Sequence, residues 1–162
     1  MDSLTYNEMI STEKSLYDTD FYQWTLHNAN LLRQGRLSEI DIENLAEEIE
    51  SMGRRDRREL ESRLAVLIMH LLKLQYQSEK QIDSKSWATT IRTQRKEIVR
   101  ILRDSPSLKH NIETTIGKEF ITAKEDFEEE TGISRKKLPE ICPYTFDQII
   151  DKSFWPKPII NS

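Results

Sequence analysis

Residues 60–74 constrain the chain more than any other stretch. Leu60, Leu64, Leu67, Leu71 and Leu74 recur at helical spacing, and Val66, Ile68, Met69 and Leu72 fill the other sides of residues 64–74. A helix that is apolar nearly all round has to be central and buried, so other helices must surround it. Strands have little punctuation to work with. The 162 residues hold 4 Gly and 5 Pro, too few for many short strands joined by turns. The length suits one domain with a real core. Charged residues make up 32% and hydrophobic ones 36%, so the rest of that core must come from amphipathic segments.

Four further helices are legible by their apolar stripes and their ends. The first opens at about Asp20, which has capping-box spacing with Gln23, and carries Phe21, Trp24, Leu31 and Leu32 toward Gly35. The second opens at Ser38 or Asp41 and carries Ile42, Leu45, Ala46, Ile49 and Met52 inward. Gly53 follows, either ending that helix or carried through it into the Leu60–Leu74 helix at a cost of about 1 kcal/mol. After a polar loop, QSEKQIDSKS, a fourth helix turns Trp87, Ile91, Ile98, Ile101 and Leu102 inward. Ser105 and Pro106 suit the cap and first position of a fifth, with Leu108, Ile112, Ile116, Phe120, Ala123 and Phe127 on one side and Gly132 as its stop. Thr145 and Gln148 have capping-box spacing for a short last helix. Phe146, Ile149, Phe154 and Trp155 are expected to pin the tail. The expected fold is all-α: a compact antiparallel bundle of about five main helices with a short C-terminal helix. Residues 1–17 form an arm, 18–156 the helical domain and 157–162 a tail.

Charge patterning argues against a nucleic-acid protein. Residues 43–63 hold seven acids and five bases, and pairs such as Glu50/Arg54 and Glu59/Arg63 stand at helical contact spacing. Phosphate binding needs cations that are not already partnered. A better basic candidate is the outer face of the fourth helix, with Arg92, Lys96, Arg100 and Arg103. Residues 84–110 hold seven bases against two acids, but residues 111–130 hold seven acids against two bases, and mutual neutralisation is expected.

Chemistry is sparse. Polar residues interrupt the apolar faces at Asn28, Glu48, His70 and Gln94, so an interior polar cluster of these four is a candidate site beside the basic face. A His–Glu pair in a cleft could do acid–base work. No catalytic residue is assigned, because nothing assembles a reaction. His27, His70 and His110 are far apart, with no paired His at helical spacing, so no metal is expected, and no motif calls for a cofactor. The single cysteine, Cys142, sits between Ile141 and Pro143, away from any histidine in sequence. Residues 1–18 are polar and acidic without an apolar signal core, and no apolar run is long enough for a bilayer. A soluble cytoplasmic protein without membrane association is expected.

The stretch YDTDFYQWTLHNANLLRQGRLSEIDIENLAEEIESMGRRDRREL resembles the opening of the bacterial family called domain of unknown function 29. HLLKLQYQ, SWATTIRTQRKEI, DSPSL, TGI and ICPYTFDQII continue the resemblance in order, from about Leu16 to Pro156. The resemblance implies a small all-helical protein, common in cyanobacteria and some proteobacteria, with no activity or site residue to carry over. The expected function is a non-enzymatic binding or protein-interaction module whose partner is another protein or a second copy. The alternative is a ligand-binding protein or enzyme using the cluster around His70. A third is a nucleic-acid-associated factor using the basic helix face.

Overall fold

The computed structural model describes residues 15–77 and 84–159. Residues 1–14 of the expected arm (1–17), the middle of the polar loop (78–83) and residues 160–162 lie outside the described residues, while Leu16 and Tyr17, expected in the arm, open a short helix. The described chain is all-helical, with no strand: α1 (Leu16–Thr19), α2 (Phe21–Arg33), α3 (Ile42–Tyr76), α4 (Ser84–Asp104), α5 (Ile112–Thr131) and α6 (Phe146–Ile150). The expected class holds, with four long helices where five were expected. The second and third expected helices are one helix of 35 residues running through Gly53. At 1.5 Å per residue it is about 52 Å long. A single glycine penalty of about 1 kcal/mol does not stop a helix flanked by strong helix formers such as Met, Arg, Glu and Leu.

The predicted ends are mostly where the sequence puts them. Asp20 accepts the backbone N–H of Gln23 at 3.0 Å. Thr145 and Gln148 form a full capping box. Helix α5 stops at Gly132, which takes the left-handed conformation that glycine tolerates (φ 71°). The start of α5 is different. Pro106–Lys109 form a 3-10 turn, Ser105 makes no side-chain cap, and α5 begins only after Asn111, a left-handed residue at φ 56°. Asparagine is among the few side chains that accept this conformation.

The chain forms two compact units, Met1–Gly53 and Arg54–Ser162. In the first, Trp24, Asn28 and Leu31 are buried, Phe21 stacks on Trp24, and Tyr17 meets both rings edge-on, its centroid 4.9 Å from that of Trp24. The expected stripes shift here. Phe21 and Leu32 are exposed, and so are Ile42 (65%), Ala46, Ile49 (56%) and Met52 (50%). Partial burial falls instead on Asp41, Asn44, Leu45, Glu48 and Ser51, roughly a third of a turn round the same helix. The reason is polar: Trp24 and Asn28 bond Asp41, and Tyr17 bonds Glu48, which fixes the covered side.

In the second unit the core follows the sequence closely. Leu60, Leu64, Leu67, Ile68, Leu71 and Leu72 of α3 meet Ile91, Ile98 and Ile101 of α4 and Ile112, Ile116, Phe120, Ala123 and Phe127 of α5. The tail closes this core with Leu138, Tyr144, Phe146 and Ile149, and half-buried Phe154 and Trp155 pack on it.

Candidate functional site

The four residues of the expected interior cluster are each held by other partners. Asn28 donates through Nδ2 to the Trp24 carbonyl at 3.0 Å and accepts the Asp41 N–H at 3.0 Å. It therefore ties α2 to the residue that opens α3. Asp41 also accepts Trp24 Nε1–H (3.0 Å) and Asn44 Nδ2–H (2.8 Å), bonds that hold its carboxyl below the usual carboxylate range. Glu48 accepts the Tyr17 hydroxyl at 2.5 Å, and that bond to a carboxylate pushes the phenol up to about 12. Gln94, half-buried, accepts from Arg63 Nη1 at 3.1 Å.

His70 is half-buried on α3. Its Nδ1 lies 2.8 Å from the Val66 carbonyl one turn back, so Nδ1 carries the proton and Nε2 is the bare acceptor. Its charged neighbours are Lys73 on α3 and Glu130 on α5. Lys73 is buried, pairs with Glu130, and places its ammonium 5.4 Å from the centre of the Trp87 ring. Burial lowers the His70 pKa, Lys73 adds to this, and the Val66 carbonyl and Glu130 oppose it. The charged pair near His70 is thus Lys73 and Glu130.

The basic face of α4 is largely engaged. Arg92 lies 5.3 Å from the Trp155 ring centre. Arg100 pairs with Glu97 (2.9 Å), Glu59 (3.7 Å) and Asp104 (3.9 Å), and Arg103 with Asp104 (3.5 Å). Arg63 joins this network through Glu59 and Glu97. Lys96 is exposed. The neutralising acids of these arginines come from α3 and α4 themselves, where the sequence pointed to residues 111–130. Residues 111–130 reach α3 instead, through Lys73–Glu130 and Lys118–Glu61 (3.7 Å).

Arg95 is the residue that the sequence reading missed. It stands between Ile91 and Ile98 on the inward face, one position from Gln94, and is only 1% exposed. Its Nε donates to the Ile149 carbonyl (2.8 Å), and Nη2 donates to those of Gln148 (3.3 Å) and Phe154 (2.8 Å). Two of these acceptors are end carbonyls of α6, which a helix this short leaves without internal partners. Its guanidinium also lies 5.2 Å from the Trp155 ring centre, while Nη1 has no hydrogen-bond partner among the described residues. Burial lowers the Arg95 pKa and Asp151 opposes this. The signal was the 91–95–98 spacing, which sets Arg95 on the Ile91/Ile98 face as firmly as Gln94.

A small cleft of about 240 Å³ lies between α5 and the tail, lined by Glu113, Gly117, Phe120, Glu140, Cys142 and Tyr144 among others. It is below the ~300–1,000 Å³ of ordinary small-molecule sites. The Cys142 thiol donates weakly to the Tyr144 carbonyl at 3.5 Å, and burial pushes its pKa up, away from the thiolate that nucleophilic work needs. Among the described residues no three His, Cys, Asp or Glu side chains gather into a metal-holding group, and no helix is long and apolar enough to cross a membrane.

What remains is the exposed apolar surface. Nine of the thirteen large hydrophobic side chains exposed among the described residues fall between Leu16 and Met52: Leu16, Phe21, Tyr22, Leu26, Leu32, Leu37, Ile42, Ile49 and Met52. Single exposed apolar residues are ordinary, so it is their number within one stretch of chain that stands out.

Comparison with known proteins gives one match. No curated protein and no solved structure matches the chain. A family model described as "Domain of unknown function DUF29" matches residues 16–155, from the start of α1 to Trp155. The chain belongs to the DUF29 family.

Proposed function

We propose that this chain is a non-enzymatic protein-interaction module of the bacterial cytoplasm, and that its N-terminal unit carries the working surface. The observation that supports this is the exposed stripe Ile42, Ala46, Ile49 and Met52, repeated at helical spacing on α3. Leaving such side chains in water forgoes roughly 1.5–3 kcal/mol for each large one, which a partner recovers on binding. The bacterial setting rests on the family resemblance, and the cytoplasmic one on the charged, single-cysteine composition.

The test is a triple variant, Ile42→Ser, Ile49→Ser and Met52→Ser. None of the three side chains belongs to the buried core, so the variant should keep its helix content. Wild type immobilised in an extract of its own cells should retain a protein partner that the variant loses. Equal retention by both would sink the assignment of the surface.

A further inference from the structure

Helix α5 carries a glycine in its interior, where glycine weakens a helix relative to alanine. The backbone does not require it, because Gly117 is not among the residues with positive φ. A Cβ built on it would meet nothing within 4 Å. What the missing side chain leaves is room. Gly117 lines the cleft of about 240 Å³ between α5 and the tail, which lies wholly within the second unit. Glu113, four residues earlier and so on the same helix face, lines it too, as does Glu140 from the tail. Buried Ile116 and Phe120 give it apolar walls. Ile141 also lines it and, at 82%, is the most exposed large hydrophobic side chain among the described residues.

Charge then selects the occupant. Among the described residues, Glu113 and Glu140 make no hydrogen bond or ion pair, and no basic residue lines the cleft. The neighbouring lysines are turned elsewhere. Lys118 pairs with Glu61 (3.7 Å) and Glu119 (3.9 Å), and Lys124 donates to the Pro139 carbonyl (3.2 Å). The field of Glu113 reaches the Cys142 thiol: burial pushes that thiol's pKa up, its bond to the Tyr144 carbonyl opposes this, and the Glu113 charge adds to it. A cleft of one sign between apolar walls concentrates its field and draws the opposite charge. A hard metal ion takes six or more oxygen ligands, and among the described residues no third acid, histidine or cysteine joins this pair to hold one. An organic cation asks for less, a carboxylate for its head and an apolar wall for its stem. At the ~30 Å³ that one water takes in the liquid, the volume suits a stem and head of about eight atoms, far short of a nucleotide.

We propose that this cleft binds a primary alkylammonium group, its head held by Glu113 and Glu140 and its stem laid along Gly117, Phe120 and Ile141. Two sources supply that chemistry, a free small amine and the lysine side chain of a partner.

Titration calorimetry of the full chain in about 0.15 M salt, where diffuse surface attraction is screened, tests this. The probe n-pentylammonium should bind with a Kd at or below about 1 mM. The neutral 1-pentanol and the anionic pentanoate should bind at least about tenfold more weakly. Glu113→Gln combined with Glu140→Gln should weaken pentylammonium at least about tenfold. Both glutamates are exposed and glutamine keeps their shape, so this variant should fold as wild type does. Gly117→Leu fills the cleft from the helix side. Leucine is the better helix former, so its melting temperature should hold or rise while binding falls at least about tenfold. The glutamine pair decides the case even if Gly117→Leu folds poorly. Nα-acetyl-lysinamide separates the sources: binding as tight as that of pentylammonium marks a partner's lysine, and its exclusion marks a free amine, each in support of the site. Absence of pentylammonium binding overturns the proposal. So does pentanol binding equally well, or pentylammonium binding that the glutamine pair leaves intact.

Discussion

Asn28 accepts the backbone N–H of Asp41 at 3.0 Å, thirteen residues on, while its own amide donates to the carbonyl of Trp24. One buried side chain thus joins the helix it sits on to the opening of the next. Asn28→Leu would leave the Asp41 N–H and the Trp24 carbonyl with one partner fewer. A buried group left unsatisfied costs about 1–3 kcal/mol. Denaturant titration read on Trp24, whose indole bonds Asp41, should show a loss of that size. An unchanged midpoint would mean that water replaces both bonds.

Arg95 should matter more. Arg95→Ala leaves the carbonyls of Gln148, Ile149 and Phe154 unpaired and opens a cavity under Trp155. Bonds to charged groups contribute about 1.5–3 kcal/mol each without full additivity, so a loss of roughly 3 kcal/mol or more is expected. Arg95→Lys should recover only part, because an ammonium lacks the planar fork that reaches three carbonyls at once. Urea titration separates the two, and equal midpoints for Lys and wild type would show that charge alone suffices.

His70 predicts a pH dependence. Burial lowers its folded pKa below the ordinary 6.5, so between the two values the unfolded chain binds more protons. Stability is then fully present above about 6.5 and falls as pH drops through that window toward the folded value. His70→Gln should remove this component. The check is the difference between wild-type and variant melting temperatures from pH 7.5 to 5, which should narrow on acidification. A constant difference would show that the ring titrates normally.

Tyr17 should ionise late. Its hydroxyl donates to Glu48, and its pKa is pushed up from 10.0 to about 12. The phenol of the unfolded chain loses its proton first, so the contribution is fully present below pH 10 and is lost as pH rises toward 12. Spectrophotometric titration of wild type against Tyr17→Phe should assign one high-pH step to this residue. Its absence from the difference curve would break the Tyr17–Glu48 assignment.

Features that depend on local chemistry were legible. Asp20 with Gln23, Thr145 with Gln148, and Gly132 after Thr131 are signals that residues a few positions apart settle among themselves. The Leu60–Leu72 core was legible because a segment apolar all round can only be inside. The exposure of Ile42, Ile49 and Met52 was not, since periodicity gives a face but not what covers it. Three polar bonds, from Tyr17, Trp24 and Asn28, chose another side of α3. Arg95 was hidden because a buried guanidinium depends on carbonyls more than fifty residues away. The His70 surroundings were hidden likewise, because Glu130 reaches Lys73 across 57 positions.

The reach of Arg95 also sets an order of events during synthesis. Its acceptors lie 53 to 59 positions later in the chain. At about 5–20 residues per second a ribosome needs roughly 3–12 s to cover that distance. Throughout that interval the guanidinium lacks these carbonyls, and burying it without a partner would cost several kcal/mol. Helices that closed over Arg95 before Phe154 had been made would bury the guanidinium without these acceptors. Closure of the core around Ile91 and Ile98 is therefore coupled to a segment more than fifty positions downstream, which local helical contacts alone would not show.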